Sequence, residues 1–388
     1  MPETVIIVGG GPVGATLALT LQHKGVAVTM LEARAKGAAY QDQRALALSY
    51  GSRVILEKLG VWEKLDHQAT GINAIHISQR GSFGRSILKA KDHDLPDLGY
   101  VLSYGALTQA LDETLAAFNG INIIYEAEAQ HIEPALDKAT VTFNYEANIQ
   151  QLSSSLLVLA DGGRSLGDIS GIARETKMYG HDALVSKVEC ELPHNNVAYE
   201  RFTPMGPVAL LPNGARSFSL VWTGKQEQVA QVMALEDADF LNQLHRHFGD
   251  RVGRFLSVGK RLTFPLKLSY LNPVTASHLV VIGNAAQTMH PVAGQGFNVG
   301  LRDAYELAQQ ISSTDPADWG QDFMLQAYQQ GRKKDTKRGL IFTDFLVNLF
   351  SNDIIAVSGV RGMSLGMIDL IKPLKSSLVR KMSFGSRG

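Results

Sequence analysis

Four consecutive β-branched residues, Val5 to Val8, run without a polar interruption, and beyond a glycine-rich break Ala15, Leu17, Ala18 and Leu21 recur at helical spacing. This pattern predicts strand, tight turn and helix. Ala27 to Leu31 reads as a second strand, ended by Glu32. Gly51 to Leu59 is helical in pattern, Ile75 to Ser78 extended, and Gly105 to Phe118 helical through Leu107, Leu111, Leu115 and Phe118. Extended runs follow at Ile121 to Tyr125, Ala139 to Tyr145 and Leu156 to Ala160. The last has no polar residue, as expected of a parallel strand covered on both faces. From Lys177 to Leu268 short extended runs dominate (Ala183 to Glu191, Val208 to Leu211, Ser217 to Trp222), with one helical insertion around Asp237 to Phe248. A strand at His278 to Ile282 and a helix at Val299 to Ser312 resume the opening pattern, and the remainder is mainly helical.

The expected class is α/β: a Rossmann-like nucleotide-binding domain interleaved with a smaller mixed-sheet domain, followed by a helical C-terminus. The corresponding division is 1–176, 177–268, 269–320 and 321–388, with the first and third segments forming one domain. A chain of 388 residues, 45% hydrophobic and 19% charged, has enough apolar material for two cores. Its 37 basic and 37 acidic residues cancel, and no basic stripe is interleaved with aromatics, which argues against a nucleic-acid partner. Cys190 is the single cysteine, so neither an internal disulfide nor a cysteine-rich metal site is expected. It lies in an alternating run and reads as a strand residue rather than a reactive thiol. The nucleotide-binding strand begins too early to leave room for an export signal. The most apolar tract, Leu340 to Leu374, is interrupted by Asp344, Asn348, Asn352, Asp353, Arg361 and Asp369. These features predict a cytoplasmic protein without a membrane span.

Three segments carry candidate chemistry. Gly9, Gly11 and Gly14 form G-x-G-x-x-G between strand and helix, where Gly9 permits the turn, Gly11 lets backbone approach a pyrophosphate, and Gly14 allows close helix packing. The following helix N-terminus offers N–H donors to an anion. Glu32 stands about 20 residues farther on, where a carboxylate accepts from ribose hydroxyls and repels a 2′-phosphate. The nucleotide expected here is FAD or NAD rather than NADP. The second segment is Asp161-Gly162-Gly163-Arg164-Ser165; Asp161-Gly162 alone is as well explained by an ordinary turn after a strand. The third runs from Gly283-Asn284 through His290, Pro291, Gly294 and Gly296 to Asn298, and its glycines suit backbone lying against a flat ring.

The interrupted layout and these segments together resemble the class A flavoprotein aromatic hydroxylases, with the fold of para-hydroxybenzoate hydroxylase, over nearly the whole chain. The resemblance implies bound FAD. It places Asp161 and Gly162 near the FAD pyrophosphate, with a bearing on reduced-nicotinamide binding. Asp168 stands where the family usually has an arginine three residues after the serine. Gly283-Asn284 resembles a Gly-Asp motif whose acid bonds the ribityl chain; Asn284 keeps a carbonyl acceptor and loses the charge-assisted part of that bond. Pro291, Gly294, Gly296 and Asn298 resemble the stretch along the isoalloxazine ring, with the next helix N-terminus beside the edge that is negative in reduced flavin. Arg44 matches an arginine lying against the FAD phosphates or ribityl chain, although a lone arginine here also suits a surface. His290 suits an acid, a base or a hydrogen-bond partner for a substrate phenol, and equally a residue that holds its own loop.

Arg201 to Pro212, Ser219 to Trp222 and Asn284 to Gln287 further resemble the ubiquinone-biosynthesis branch, of the 2-octaprenyl-6-methoxyphenol hydroxylase type. That resemblance implies hydroxylation of a polyprenylated methoxyphenol, with molecular oxygen and NAD(P)H as co-substrates and a flavin C4a-hydroperoxide as oxygen donor. No second G-x-G-x-x-G occurs, so NAD(P)H is expected to bind transiently across the flavin site. No catalytic metal is expected. Two other functions remain open: a flavin oxidoreductase without oxygen insertion, and a flavin-binding scaffold of a biosynthetic complex. The tail carries Lys372, Lys375, Arg380, Lys381 and Arg387, with Leu374, Leu378 and Met382 along one helical face. It suits packing on the body with solvated charges, or a peripheral contact with an anionic inner membrane or a protein complex.

Overall fold

A computed structural model describes residues 4–81, 85–167, 169–203, 205–288, 295–332, 376, 379–381 and 383–384. Its first sheet has six strands in the order Thr275–Ala276, Leu279–Val281, Leu157–Leu159, Val5–Val8, Val28–Glu32 and Ile121–Tyr125. All pairings are parallel except that of Thr275–Ala276. Val5–Val8 lies centrally and is buried at every position, which accounts for its unbroken apolar run. Helix α1 (Pro12–Gln22) follows it, and α3 (Tyr104–Leu115) and α6 (Gln295–Ser312) pack beside α1. A three-stranded meander of Glu128–Pro134, Ala139–Tyr145 and Asn148–Ser154 contributes Ile132, Val141 and Phe143 to the same core.

Strand and helix ends follow local chemistry. Helices α2 (Tyr50–Lys58) and α3 begin one residue before the predicted Gly51 and Gly105, because the Ser49 and Ser103 hydroxyls accept from the Ser52 and Ala106 amides. Those serines end the strands Ala45–Ser49 and Gly99–Ser103, which with Thr70–Ile72 form a small sheet.

The large sheet orders Gln287–Thr288, Leu262–Asn272, Ala173–Cys190, Ser217–Lys225, Gly206–Pro212, Val197–Thr203, Ala74–Gln79 and Arg85–Lys89, with Phe255–Val258 also paired to Ala173–Cys190. The chain thus contributes strands to this sheet from Ala74 onward, well before residue 177. Ala173–Cys190 is far longer than the predicted Ala183 to Glu191. Its first half is polar and exposed, so no alternation marks it, yet its backbone pairs with Leu262–Asn272. The predicted single helical insertion is two helices, α4 (Gln226–Met233) and α5 (Asp237–Phe248). They cover one face of the sheet with a core including Leu184, Val208, Leu220, Trp222, Phe240 and Phe248. Val299 to Ser312 reads helical in sequence, and α6 extends that helix back to Gln295.

Residues 322–332 are helical, and no helix among the described residues is long and apolar enough to cross a membrane. The basic positions Lys372, Lys375 and Arg387 and the apolar Leu374, Leu378 and Met382 lie outside the described residues. Val379 is buried against Leu88, Ala90 and Leu98.

Candidate functional site

The glycine loop is shaped by what surrounds each glycine. Gly9 has φ +107°, and a Cβ there would fall 2.6 Å from the Asp161 amide nitrogen. A Cβ on Gly14 would fall 2.0 Å from the Gly9 carbonyl oxygen. Packing therefore forbids a side chain at both. Gly11 differs: a Cβ there would meet only the Tyr104 hydroxyl, at 3.6 Å. Its backbone borders open space. Gly11 caps α1 and Pro12 occupies the first turn, so the Val13 and Gly14 N–H groups begin the helix without intrahelical acceptors. An open glycine surface beside unpaired amides at a helix N-terminus fits a pyrophosphate.

Glu32 closes the neighbouring strand end. The Gly10 amide donates to Glu32 Oε2 at 2.8 Å, while the Arg34 amide and Nε donate to Oε1 at 2.9 and 2.7 Å. Burial alone would raise this carboxyl, but the Arg34 contacts and the Gly10 amide outweigh it and hold the group below its ordinary value. A charged carboxylate thus ties the second strand to the glycine loop. Arg34 Nη2 reaches Oε2 at only 3.3 Å, the longest of these contacts.

The Asp161 carboxylate organises its own loop. It accepts from the Gly163 amide at 2.8 Å, the Ser165 amide at 2.8 Å and the Ser165 hydroxyl at 2.5 Å, with Gly162 and Gly163 at positive φ. Arg174 lies beside this loop, its Nη2 3.3 Å from where a Cβ on Gly163 would stand, and bonds the third segment: Nη2 donates to the Ala285 carbonyl and Nη1 to the Ser269 hydroxyl, both at 3.2 Å. Gly283 lies against Val13, and a Cβ on Gly300 would sit 2.9 Å from Val13 Cγ2. Segments distant in sequence thus meet at the start of α1. Asn284 is exposed, and no hydrogen bond engages its amide among the described residues.

Asn298 is 2% exposed and fully engaged. Its Oδ1 accepts from the Ser49 amide at 2.8 Å and the Ser52 hydroxyl at 2.7 Å, and its Nδ2 donates to the Ala47 carbonyl at 2.9 Å. It pins the start of α6 to the junction before α2. Gly296 lies two residues earlier, half-buried in the first turn of α6. His290, Pro291 and Gly294 lie outside the described residues, as does Asp168. Arg44 is on the rim: its side chain is 57% exposed, paired with Asp42 and stacked 5.1 Å from the centre of the Tyr104 ring. Through Tyr104 it borders Gly11. Cys190 is buried and its thiol is pushed up to about 12 by desolvation, so it is a strand residue and not a nucleophile.

Arg34, Tyr104 and Arg174 take part in this constellation without having been singled out in the sequence. Arg34 carried a local signal, two positions after Glu32. Arg174 carried none, because its partners are 95 and 111 residues away.

A family model described as an FAD-binding domain matches residues 3–342. The chain is 35% identical over 382 residues to ubiquinone hydroxylase UbiL of Rhodospirillum rubrum, covering 97% of this chain and 88% of that protein. It is 28% identical over 374 residues to 3-demethoxyubiquinol 3-hydroxylase of Escherichia coli, covering 94% of each. Among solved structures, p-nitrophenol 4-monooxygenase PnpA of Pseudomonas putida DLL-E4 superposes with a TM-score of 0.80 at 17% identity over the whole of both chains, a likeness of fold. The glycine loop, its terminal acid and the match across most of the chain lead to one conclusion: this protein belongs to the FAD-binding family, and its cofactor is FAD.

Proposed function

We propose that the protein is an NAD(P)H- and oxygen-dependent flavin monooxygenase that hydroxylates the aromatic ring of a polyprenylated methoxyphenol in ubiquinone biosynthesis. The observation that carries this reading is the convergence of the three segments at the start of α1, in a chain whose sequence aligns almost end to end with a ubiquinone hydroxylase. Bound FAD supplies the activation and transfer of oxygen.

The protein's part is binding, orientation and exclusion of water. Gly9, Gly11 and Gly14 with the first amides of α1 hold the pyrophosphate. Glu32 accepts from a ribose hydroxyl in place of its long Arg34 Nη2 contact, and Arg44 borders the phosphates from the Tyr104 rim. Asp161 and Gly162 shape the loop on which Gly9 rests. Gly283 and the exposed Asn284 amide face the ribityl chain. Pro291, Gly294 and Gly296 line the flavin ring, Asn298 fixes the helix that follows them, and His290 is a candidate partner for the substrate phenol. Contact of the basic tail with an anionic membrane belongs to the same reading, since a prenyl chain of this kind resides in a bilayer; sedimentation with anionic and neutral vesicles tests it.

The decisive experiment supplies labelled oxygen gas to the FAD-loaded enzyme with NAD(P)H and a prenylated methoxyphenol. The expected product is heavier by one labelled oxygen, and the phenol accelerates NAD(P)H oxidation. Label arriving from water, or oxidation without oxygen gain, sinks the monooxygenase reading in favour of an oxidoreductase.

A further inference from the structure

Glu200 stands in the middle of strand Val197–Thr203, opposite Ala209 on one neighbouring strand and Ile77 on the other. Strand alternation divides this segment cleanly. Tyr199 points to the helix-covered side, where its ring meets Phe218 and Phe248. Ala198 points the other way and packs with Ile72 and Val101 of the small sheet. Glu200 shares the face of Ala198. The small sheet is in turn tied to the start of α6 by Asn298, through Ser49 and Ala47. Glu200 therefore lies on the face of the large sheet turned toward the small sheet and, through Asn298, toward the start of α6.

Its neighbours across the sheet are mostly apolar. Following the register across the sheet gives one row: Ser86, Ile77, Glu200, Ala209, Val221 and Val185. A single carboxyl interrupts it. Among the described residues no cation or hydrogen-bond donor compensates that carboxyl, and desolvation pushes it up to about 7. His76 and Arg201, its nearest titratable neighbours by register and sequence, alternate to the opposite face, where His76 meets Tyr199. Arg85 is exposed at the sheet edge, and Asp97 and Tyr100 of the facing small-sheet region pair with each other. The residue as a whole remains partly accessible. Its carboxyl is thus desolvated while the residue stays within reach of a small molecule. Leaving such a group without a partner is costly in a purely structural role.

We propose that Glu200 is a catalytic residue that receives the phenolic proton of the substrate. This rests on the aromatic-hydroxylase reading above. In the step, the phenol O–H bond breaks and a new O–H bond forms at a Glu200 carboxylate oxygen. The electron pair stays on the phenol oxygen, so one negative charge moves from carboxylate to phenolate. The phenolate then enriches the ring carbon that accepts oxygen. An ordinary glutamate, near 4.3, would take a proton from a phenol near 10 at a disadvantage of more than about 100,000-fold. A glutamate raised to about 7 reduces that to about 1,000-fold.

The test uses FAD-loaded full-length enzyme and 2-methoxy-6-prenylphenol in detergent micelles. Wild type is expected to lose kcat/KM on the acid side with a midpoint near 7, as Glu200 becomes protonated and ceases to accept. Glu200→Gln removes that limb and lowers kcat by about 100-fold or more, with KM within about 3-fold; Glu200→Asp restores the limb. A Glu200→Gln enzyme with full FAD content, kcat within about 3-fold of wild type and an unchanged acid limb overturns the assignment and leaves the hydroxylase function standing. Wild type that neither binds nor hydroxylates the phenol overturns both. A measurement on wild type alone stands independent of variant folding. At pH 8 in weak buffer, binding is expected to release no net proton, and at a disadvantage of about 1,000-fold the bound phenol keeps its neutral absorbance. A phenolate band with one proton released to the buffer refutes transfer to the protein.

Discussion

Replacing Asp303 by asparagine takes a bidentate counter-charge from the buried Arg332 guanidinium. Arg332 Nε and Nη2 donate to Asp303 Oδ1 and Oδ2, each at 2.8 Å, and the two side chains are 7% and 4% exposed. Gln287 Nε2 adds a contact to Oδ2 at 3.4 Å. Two unit charges about 4 Å apart at an effective dielectric of about 20 attract by about 4 kcal/mol. Removing one partner of such a pair costs about 3–5 kcal/mol, chiefly because the survivor stays desolvated. The pair joins α6 to the helical segment 322–332, so the loss falls on the element that begins beside the flavin segment. Urea unfolding followed by circular dichroism measures it: at a slope of about 3 kcal/mol per molar, the midpoint drops by about 1 M or more. The double variant Asp303→Leu with Arg332→Met removes both charges and is expected to recover most of that loss. A single variant within about 1 kcal/mol of wild type, or a double variant worse than the single one, would refute the reasoning.

Gly11→Ala should weaken FAD binding by at least about 10-fold while leaving unfolding within about 0.5 kcal/mol, since its Cβ enters only the open side of the loop. Gly9→Ala should instead destabilise the fold itself by about 1–3 kcal/mol, because φ +107° and the Asp161 backbone both oppose a side chain; flavin titration and denaturation on the same samples separate the two. Glu32→Gln should cost about 1–2 kcal/mol at pH 7. The native carboxyl is lowered, so its contribution is complete above the ordinary 4.5 and vanishes as pH falls through its native value; the gap between wild type and variant should close there in acid unfolding, and a gap that widens instead contradicts the Arg34 pairing. Cys190 should resist alkylation by iodoacetamide in the folded enzyme and react once urea unfolds it, as mass spectrometry would show.

Different parts of the molecule were legible to different degrees. Val5–Val8 and Leu157–Leu159 follow directly from local pattern, because burial on both faces forces an apolar run, and α1, buried continuously from Gly14 to Leu21, is legible from its glycine break and the apolar stretch after it. Ala173–Cys190 was readable only in its second half: the polar half is held by pairing to Leu262–Asn272, and that partner is nearly 100 residues away. Asn298 shows the same limit within the site. Its sequence context suggests a ring-side residue, whereas its side chain is consumed in holding Ser49, Ser52 and Ala47.

The nucleotide loop and the acid at the end of the second strand are legible in the sequence, since each depends on short-range spacing and on residue types that few backbones tolerate otherwise, and the flavin class rests on the resemblance to the aromatic hydroxylases. Folding was needed to tell which glycines serve packing and which border open space, for Gly9 and Gly14 are compelled by neighbouring backbone and Gly11 is not. It alone also set Arg174 between two motif loops and Glu200 in a mostly apolar row turned toward the small sheet. The physical reason is common to these cases: desolvation, steric exclusion and long-range pairing are properties of what the folded chain brings near a residue, and the residue's own neighbours in sequence do not encode them.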